Sequence, residues 1–192
     1  MTTELIDLKR ECKVVEIPSG IERVLPAGTS IRISQTLGTS YTVVAGIGYM
    51  YRIDASDADA LGLTPAQTAG QPASSEFSEK SVWDQLKTIY DPEIPVNIVD
   101  LGLIYGCDIA SLDNNDKSIH IKMSMTAPGC GMANVLKADV ERKLGQLPTV
   151  KAVNVEVVFD PPWHPGRMSE AARLQLGLDL DYPRDPMVPF PR

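Results

Sequence analysis

Cysteine, histidine and aromatic side chains are all scarce in this chain: of 192 residues, three are cysteine, two are histidine and 6% are aromatic. Cys12, Cys107 and Cys130 are odd in number, widely spaced and include no Cys-x-x-Cys pair. That excludes a disulfide framework of the secreted kind and an all-cysteine four-ligand metal site built from one subunit, and it fits a reducing compartment. Positive charge is also short, with 18 Lys and Arg against 25 Asp and Glu for a formal charge of −7. A nucleic-acid partner is therefore not expected, since the phosphate backbone demands a basic face. The longest nearly apolar run, Val43 to Tyr51, is too short to span a bilayer, and Glu4, Asp7, Lys9, Arg10 and Glu11 occupy the place of a signal-peptide core. The expectation is a soluble cytoplasmic protein with no membrane partner.

What the chain does have is 43% hydrophobic residues, enough for one good core or two small ones without covalent staples. Its character changes at residues 64–75, a run of small, polar and turn-forming residues that reads as a linker. Before it, in residues 1–63, Val14 to Ile17, Ser30 to Ser34, Tyr41 to Val44 and Tyr49 to Ile53 are short strand-forming runs punctuated by glycine and proline turns. Asp54 to Leu61 reads as a helical turn or a short helix. After the linker, residues 76–177 read helix, strand, strand, helix, strand, helix. Ser78 caps a helix whose buried stripe is Val82, Trp83, Leu86 and Ile89, ending before Asp91-Pro92. Leu101 to Ile109 and Ser118 to Met125 are strands joined by the polar turn Asp113 to Asp116. Val153 to Phe159 alternate as a third strand, and Ser169 caps a last helix ended by Gly177. The expected class is α+β: a small mixed sheet with helices on one face, preceded by a small all-β module. Residues 178–192, with four prolines, read as an extended tail.

The densest chemical signal is Thr126-Ala127-Pro128-Gly129-Cys130-Gly131-Met132. Ile119, Ile121, Met123 and Met125 alternate with polar residues upstream, and Met132, Val135, Leu136, Val140 and Leu144 recur at helical spacing downstream. Cys130 thus falls where a strand gives way to a helix, beside unpaired backbone N–H groups that favour a thiolate. Gly129 and Gly131 allow a metal, cluster or second sulfur to approach the backbone closely. The second dense feature is the loop from Asp91 to Tyr105, made rigid by Pro92 and Pro95. Asp91, Glu93 and Asp100 either cap turns there or supply a carboxylate or hydrogen bond to whatever the sulfur holds, as Thr126 could from Cys130's own loop.

Residues 91–105 and 126–132, followed by Phe159-Asp160-Pro161-Pro162-Trp163 and Met168-Ser169-Glu170-Ala171-Ala172, resemble the MIP-type domain family. That family includes SufT-type iron-sulfur cluster assembly proteins, PaaD-like proteins and the eukaryotic cytosolic factor that targets clusters to apoproteins. The resemblance spans residues 76–177 and is nearest to the SufT type. Arg10-Glu11-Cys12, Leu25-Pro26-Ala27-Gly28-Thr29, Gln35-Thr36-Leu37-Gly38 and Asp57 to Gly62 are similar to an extra module carried there. The resemblance implies a non-enzymatic maturation factor that carries or helps transfer clusters to client apoproteins, with Cys130 as the matching motif cysteine. It implies the assembly machinery and client apoproteins as partners. The extra C-terminal cysteines of PaaD-like relatives are lacking, so no stable zinc is expected; a transient iron-sulfur cluster or iron would be held labilely by Cys130 and shared with a client, a small thiol or a second subunit of a homo-oligomer.

The other candidates weigh less. Cys107 reads as a packed small side chain in its strand, and Cys12 as a thiol that could be exposed but has no local histidine or basic cluster to activate it. His120 alternates onto the face opposite Ile119 and Ile121, and His164 has no partner ligand at zinc-like spacing. Gly46-Ile47-Gly48 is half of a dinucleotide fingerprint and carries no weight. Two further readings stay open: an adaptor that recruits clients without using the cysteine, and a thiol enzyme with Cys130 as nucleophile.

Overall fold

Alternation of β-branched and polar residues in the first third of the chain is realised as strands, and the computed structural model describes residues 5–38, 40–64 and 77–178. The chain divides into two units, Met1–Gly70 with Pro92–Pro95, and Gln71–Asp91 with Val96–Arg192. The expected linker lies outside the described residues except for Thr64, as does the expected tail from residue 179 onward.

In the first unit, β1 (Ile6–Asp7), β2 (Cys12–Ile17), β3 (Glu22–Leu25), β4 (Ser30–Leu37), β5 (Ser40–Ala45) and β6 (Tyr49–Asp54) form a sheet in the order β1-β4-β5-β6-β2-β3. Every pairing is antiparallel. Its core gathers Leu8, Val14, Ile31, Val43 and Ile53 against Ala58, Ala60 and Leu61 of a 3₁₀ segment, Ala55–Leu61. Asp54 caps that segment by accepting a hydrogen bond from the Ser56 N–H. Two strands escape the period-two pattern. β1 has only two residues, and β3 is an edge strand whose Val24 is exposed, so neither needs an alternating apolar face. Cys12 corrects an expectation: it is 1% exposed inside this core, and desolvation, the leading cause, pushes its thiol pKa up. Its position on β2 sets its burial, and the nearby charges of Asp57, Arg10 and Asp59 come after desolvation among the causes acting on it.

The second unit contains α1 (Glu79–Leu86), β7 (Ile104–Ser111), β8 (Lys117–Met123), α2 (Ala133–Leu144), β9 (Val150–Val157) and α3 (Glu170–Gln175). β7 and β8 pair antiparallel and β8 and β9 pair parallel, a mixed three-stranded sheet. Asn114 and Asn115 turn the β7–β8 hairpin with φ of 58° and 65°, a left-handed conformation that asparagine tolerates better than most residues. Ile104, Ile119, Ile121, Met123 and Val155 are buried on one face, with Val82 and Leu86 of α1 and Leu136, Val140 and Leu144 of α2. α2 packs on β9 and α1 packs on α2. The opposite face carries His120, which pairs with Glu156 at 3.4 Å, and Lys122. Full burial of a side chain such as Ile121 is worth roughly 1.5–3 kcal/mol, so this face dominates the unit's stability.

Several boundaries differ from expectation: β8 and β9 run over Lys117–Met123 and Val150–Val157, and two further shifts have a clear local cause. β7 starts at Ile104, because residues 97–102 close into a turn around Asn97 before the strand begins. α1 ends at Leu86, where the Lys87 and Thr88 N–H groups close the last turn onto Trp83 and Gln85 carbonyls, leaving Ile89 buried but non-helical. At its start, Ser78 Oγ accepts from the Ser81 N–H at 3.1 Å while Ser81 Oγ accepts from the Ser78 N–H at 3.3 Å. This reciprocal cap predicts that Ser78→Ala destabilises the protein by about 1 kcal/mol. Urea unfolding should show a lower midpoint with an unchanged slope; an unmoved midpoint would contradict the cap's role.

Candidate functional site at one end of the small sheet

Strand direction decides what gathers in the second unit. Ile104 pairs with Met123, and Met123 pairs with Val157, so the start of β7 and the ends of β8 and β9 share one row. The turn before β7, the loop after β8 and the loop after β9 therefore emerge at the same end of the sheet. Beyond the carboxyl ends of parallel strands is where open α/β sheets bind ligands. Main-chain bonds tie the three segments there: Ser124 N–H donates to Leu103 O at 2.8 Å and Val158 N–H donates to Met123 O at 2.8 Å.

Cys130 occupies the loop after β8. Met125, 3% exposed, and Met132, 1% exposed, anchor the loop at either side, while Ala127, Pro128 and Gly129 are exposed between them. Cys130 itself is half-buried, its N–H donating to Ala127 O at 3.4 Å and its carbonyl accepting from the Ala133 N–H at 3.2 Å. It stands two residues ahead of Met132, the N-cap of α2. Gly129 has a φ of +77° with open space where a Cβ would be, so backbone conformation rather than crowding calls for glycine there. Thr126 and Gly131 are half-buried in the same loop.

The turn before β7 is built by an asparagine that was not singled out from sequence. Asn97 Oδ1 accepts from the N–H groups of Val99 at 3.1 Å and Asp100 at 2.9 Å, and its Nδ2 donates to Asp100 Oδ2 at 2.6 Å. Asn three positions before Asp, in a stretch bounded by proline and glycine, is the signal that could have revealed it. Ser124 was also missed: it is 1% exposed, with no hydrogen-bond partner for its hydroxyl among the described residues.

The sheet end thus collects Asp100, Thr126, Gly129, Cys130 and Gly131. Asp91 belongs to the same unit, buried, with its N–H donating to Val96 O at 3.1 Å. Glu93 is exposed and belongs with the first unit. All three cysteines are free, and among the described residues no three His, Cys, Asp or Glu side chains cluster as a metal site. Chemically the sheet end offers one accessible sulfur on a pinned loop. Cys107, on β7, is a different kind of thiol: burial first, then the negative charges of Glu79 and Asp108, push its pKa up to about 11.

Known proteins resemble this half of the chain. The family model described as iron-sulfur cluster assembly protein matches residues 79–157. An Fe-S protein maturation auxiliary factor of Porphyromonas gingivalis is 41% identical over 101 residues, which cover 53% of this chain and 92% of that protein. The chain belongs to the iron-sulfur cluster assembly protein family. Two further relatives of the family are the Fe-S protein maturation auxiliary factor YitW of Bacillus subtilis, 36% identical over 54% of this chain and 97% of its own length, and SufT of Staphylococcus aureus, 30% identical over 47% and 98%. About half of this chain covers each of the three almost end to end, so they leave no room for a counterpart of the six-stranded unit. The expected likeness of residues 10–62 to an extra module is not carried by them.

The Cys107 environment yields a pH prediction. A thiol that ionises near 9.0 when unfolded but near about 11 when folded loses its favourable contribution as pH rises through that window. Unfolding midpoints should therefore fall more steeply between pH 9 and 11 for the wild type than for Cys107→Ala. Parallel pH profiles would contradict the burial assigned to this thiol.

Proposed function

We propose that this protein takes part in the maturation of iron-sulfur proteins, and that Cys130 is the sulfur that holds iron or a cluster in transit to a client apoprotein. The observation that carries this reading is the half-buried Cys130 on an exposed, glycine-containing loop at the carboxyl end of a parallel strand pair, in a family of cluster-assembly proteins. Cluster and iron are cargo here. Transfer is ligand exchange: an iron–sulfur bond to Cys130 breaks as one to a client cysteine forms, the client thiol gives up a proton and the Cys130 sulfur can take one, and no electrons change hands. A single protein sulfur leaves the other iron positions to be filled by the client, a small thiol or a second copy, and that makes the hold labile. Asp100 and Thr126, at the same sheet end, are the groups we assign to supporting hydrogen bonds. The partners on this reading are the assembly machinery and client apoproteins, and the compartment is the reducing cytoplasm in which free thiols persist.

An adaptor that brings clients to the machinery without using the cysteine is the second reading, favoured by the lack of a three-ligand cluster among the described residues. Cys130→Ala separates the two. Under anaerobic reconstitution, bound iron and sulfide should fall by on the order of tenfold or more, since even supporting groups of a metal site act on that scale. The same variant should fail to restore iron-sulfur enzyme activities in cells lacking the protein. Full restoration by Cys130→Ala would overturn the carrier reading and leave the adaptor.

A further inference from the structure

Four successive carbonyls of the turn before β7 are taken up in order. Asp100 O accepts from the Ser169 N–H at 2.8 Å, Leu101 O from Trp163 Nε1 at 2.8 Å, and Gly102 O from Arg167 Nε at 3.4 Å. The fourth, Leu103 O, accepts from the N–H of Ser124, the first residue of the Cys130 loop. Three of these donors come from residues 163–169, far along the chain from both the turn and the loop. The approach is close: a Cβ on Gly102 would lie 2.0 Å from the carbonyl oxygen of Arg167, and Gly102 has a φ of +70°. Arg167 is 2% exposed, and its guanidinium lies 3.8 Å above the ring of Tyr105, the residue at the bulge where β7 meets β8. A buried guanidinium needs such partners, so the segment cannot lift away without stranding it.

We propose that residues 163–169 are a latch that sets the position of the Cys130 loop through the carbonyl row of residues 100–103, with Trp163 and Arg167 as positioning residues for the Cys130 sulfur. The inference deepens the reading of Cys130 as the cargo-holding sulfur and rests on it for its function. Its geometry stands by itself. The latch holds the turn, the turn's last carbonyl holds Ser124, and Ser124 leads into the short loop pinned by Met125 and Met132. A second consequence is that the latch reaches past residue 157, where the family match ends.

Site-resolved alkylation of the full chain with iodoacetamide, read by peptide mass, tests the latch. Trp163→Phe keeps an aromatic ring but removes the indole N–H, and Arg167→Lys keeps charge but removes the flat guanidinium. In the folded variants, Cys130 should be alkylated about fivefold faster relative to Cys107, the change expected in a local opening when one buried hydrogen bond is lost. Cys107, on β7 in the same unit, is the internal control. If both thiols speed up together, the segment only supports global stability and the proposal falls. An unchanged ratio in both variants, with native circular dichroism, also overturns it. Should Arg167→Lys fail to fold, Trp163→Phe alone decides between these outcomes. Restoration of function by Cys130→Ala would sink the carrier reading while leaving this alkylation result as it stands, so the two failures are distinguishable.

Discussion

The parallel pairing of β8 with β9 is the constraint on which the site depends. Parallel neighbours cannot be joined by a tight turn, so the chain must return across the sheet, and α2 is that return. Once this is so, the loops after both strands must leave at the same end. The antiparallel partner β7 then delivers its preceding turn to that end as well. Three segments that are far apart in sequence, residues 97–103, 124–132 and 158–169, are brought together by strand direction before any side chain is considered. The packing of α1 and α2 on the apolar face fixes the register, because a one-residue slip would carry Ile119, Ile121 and Met123 to the polar face.

The fold also sorts three chemically identical thiols into three environments. Cys12 is enclosed in the core of the first unit, Cys107 is half-buried on β7 with its thiol pKa pushed up by desolvation and by Glu79 and Asp108, and Cys130 is half-buried on a loop. Burial disfavours the thiolate that would attack an electrophile or bind a metal, so the first two are held back. Cys130 follows three exposed residues, Ala127, Pro128 and Gly129, in a loop with Met125 and Met132 buried at its two sides. A half-buried sulfur on a loop pinned at both ends is the mechanical result.

How much of this could be read in the sequence depends on whether a feature leaves a residue-type signature. β8 and α2 were legible because their apolar residues repeat at the periods that a half-buried strand and an amphipathic helix require. The Ser78 cap and the asparagine hairpin were legible because few residues do those jobs. β1 and β3 were not, since edge strands this short have no face to alternate. The burial of Cys12 follows from which strand it ends up beside, and composition around it says nothing of that. At the site, Cys130 stood out between its glycines, whereas the placement of Glu93 with the first unit depends on tertiary packing. The carbonyl row of residues 100–103 was invisible for a simpler reason. Every residue carries the same acceptor, so a turn held by its backbone oxygens looks like any other turn until the donors are seen.

That anonymity has a functional side. Because the turn is gripped from outside through main-chain oxygens and closed from inside by the Asn97 side chain, the Asp100 carboxylate is oriented by Asn97 through one of its oxygens. The same logic applies across the sheet end, where Cys130 is positioned by its own backbone N–H and carbonyl. Backbone groups, with the side chains of Asn97, Trp163 and Arg167, carry the structural duty here, and the Cys130 sulfur is left for chemistry. For a protein proposed to hold its cargo through one sulfur and then release it, this division matters. A second strong side-chain ligand would deepen the hold and slow the exchange, whereas a rigid backbone frame fixes where the cargo sits without adding to how tightly it is bound.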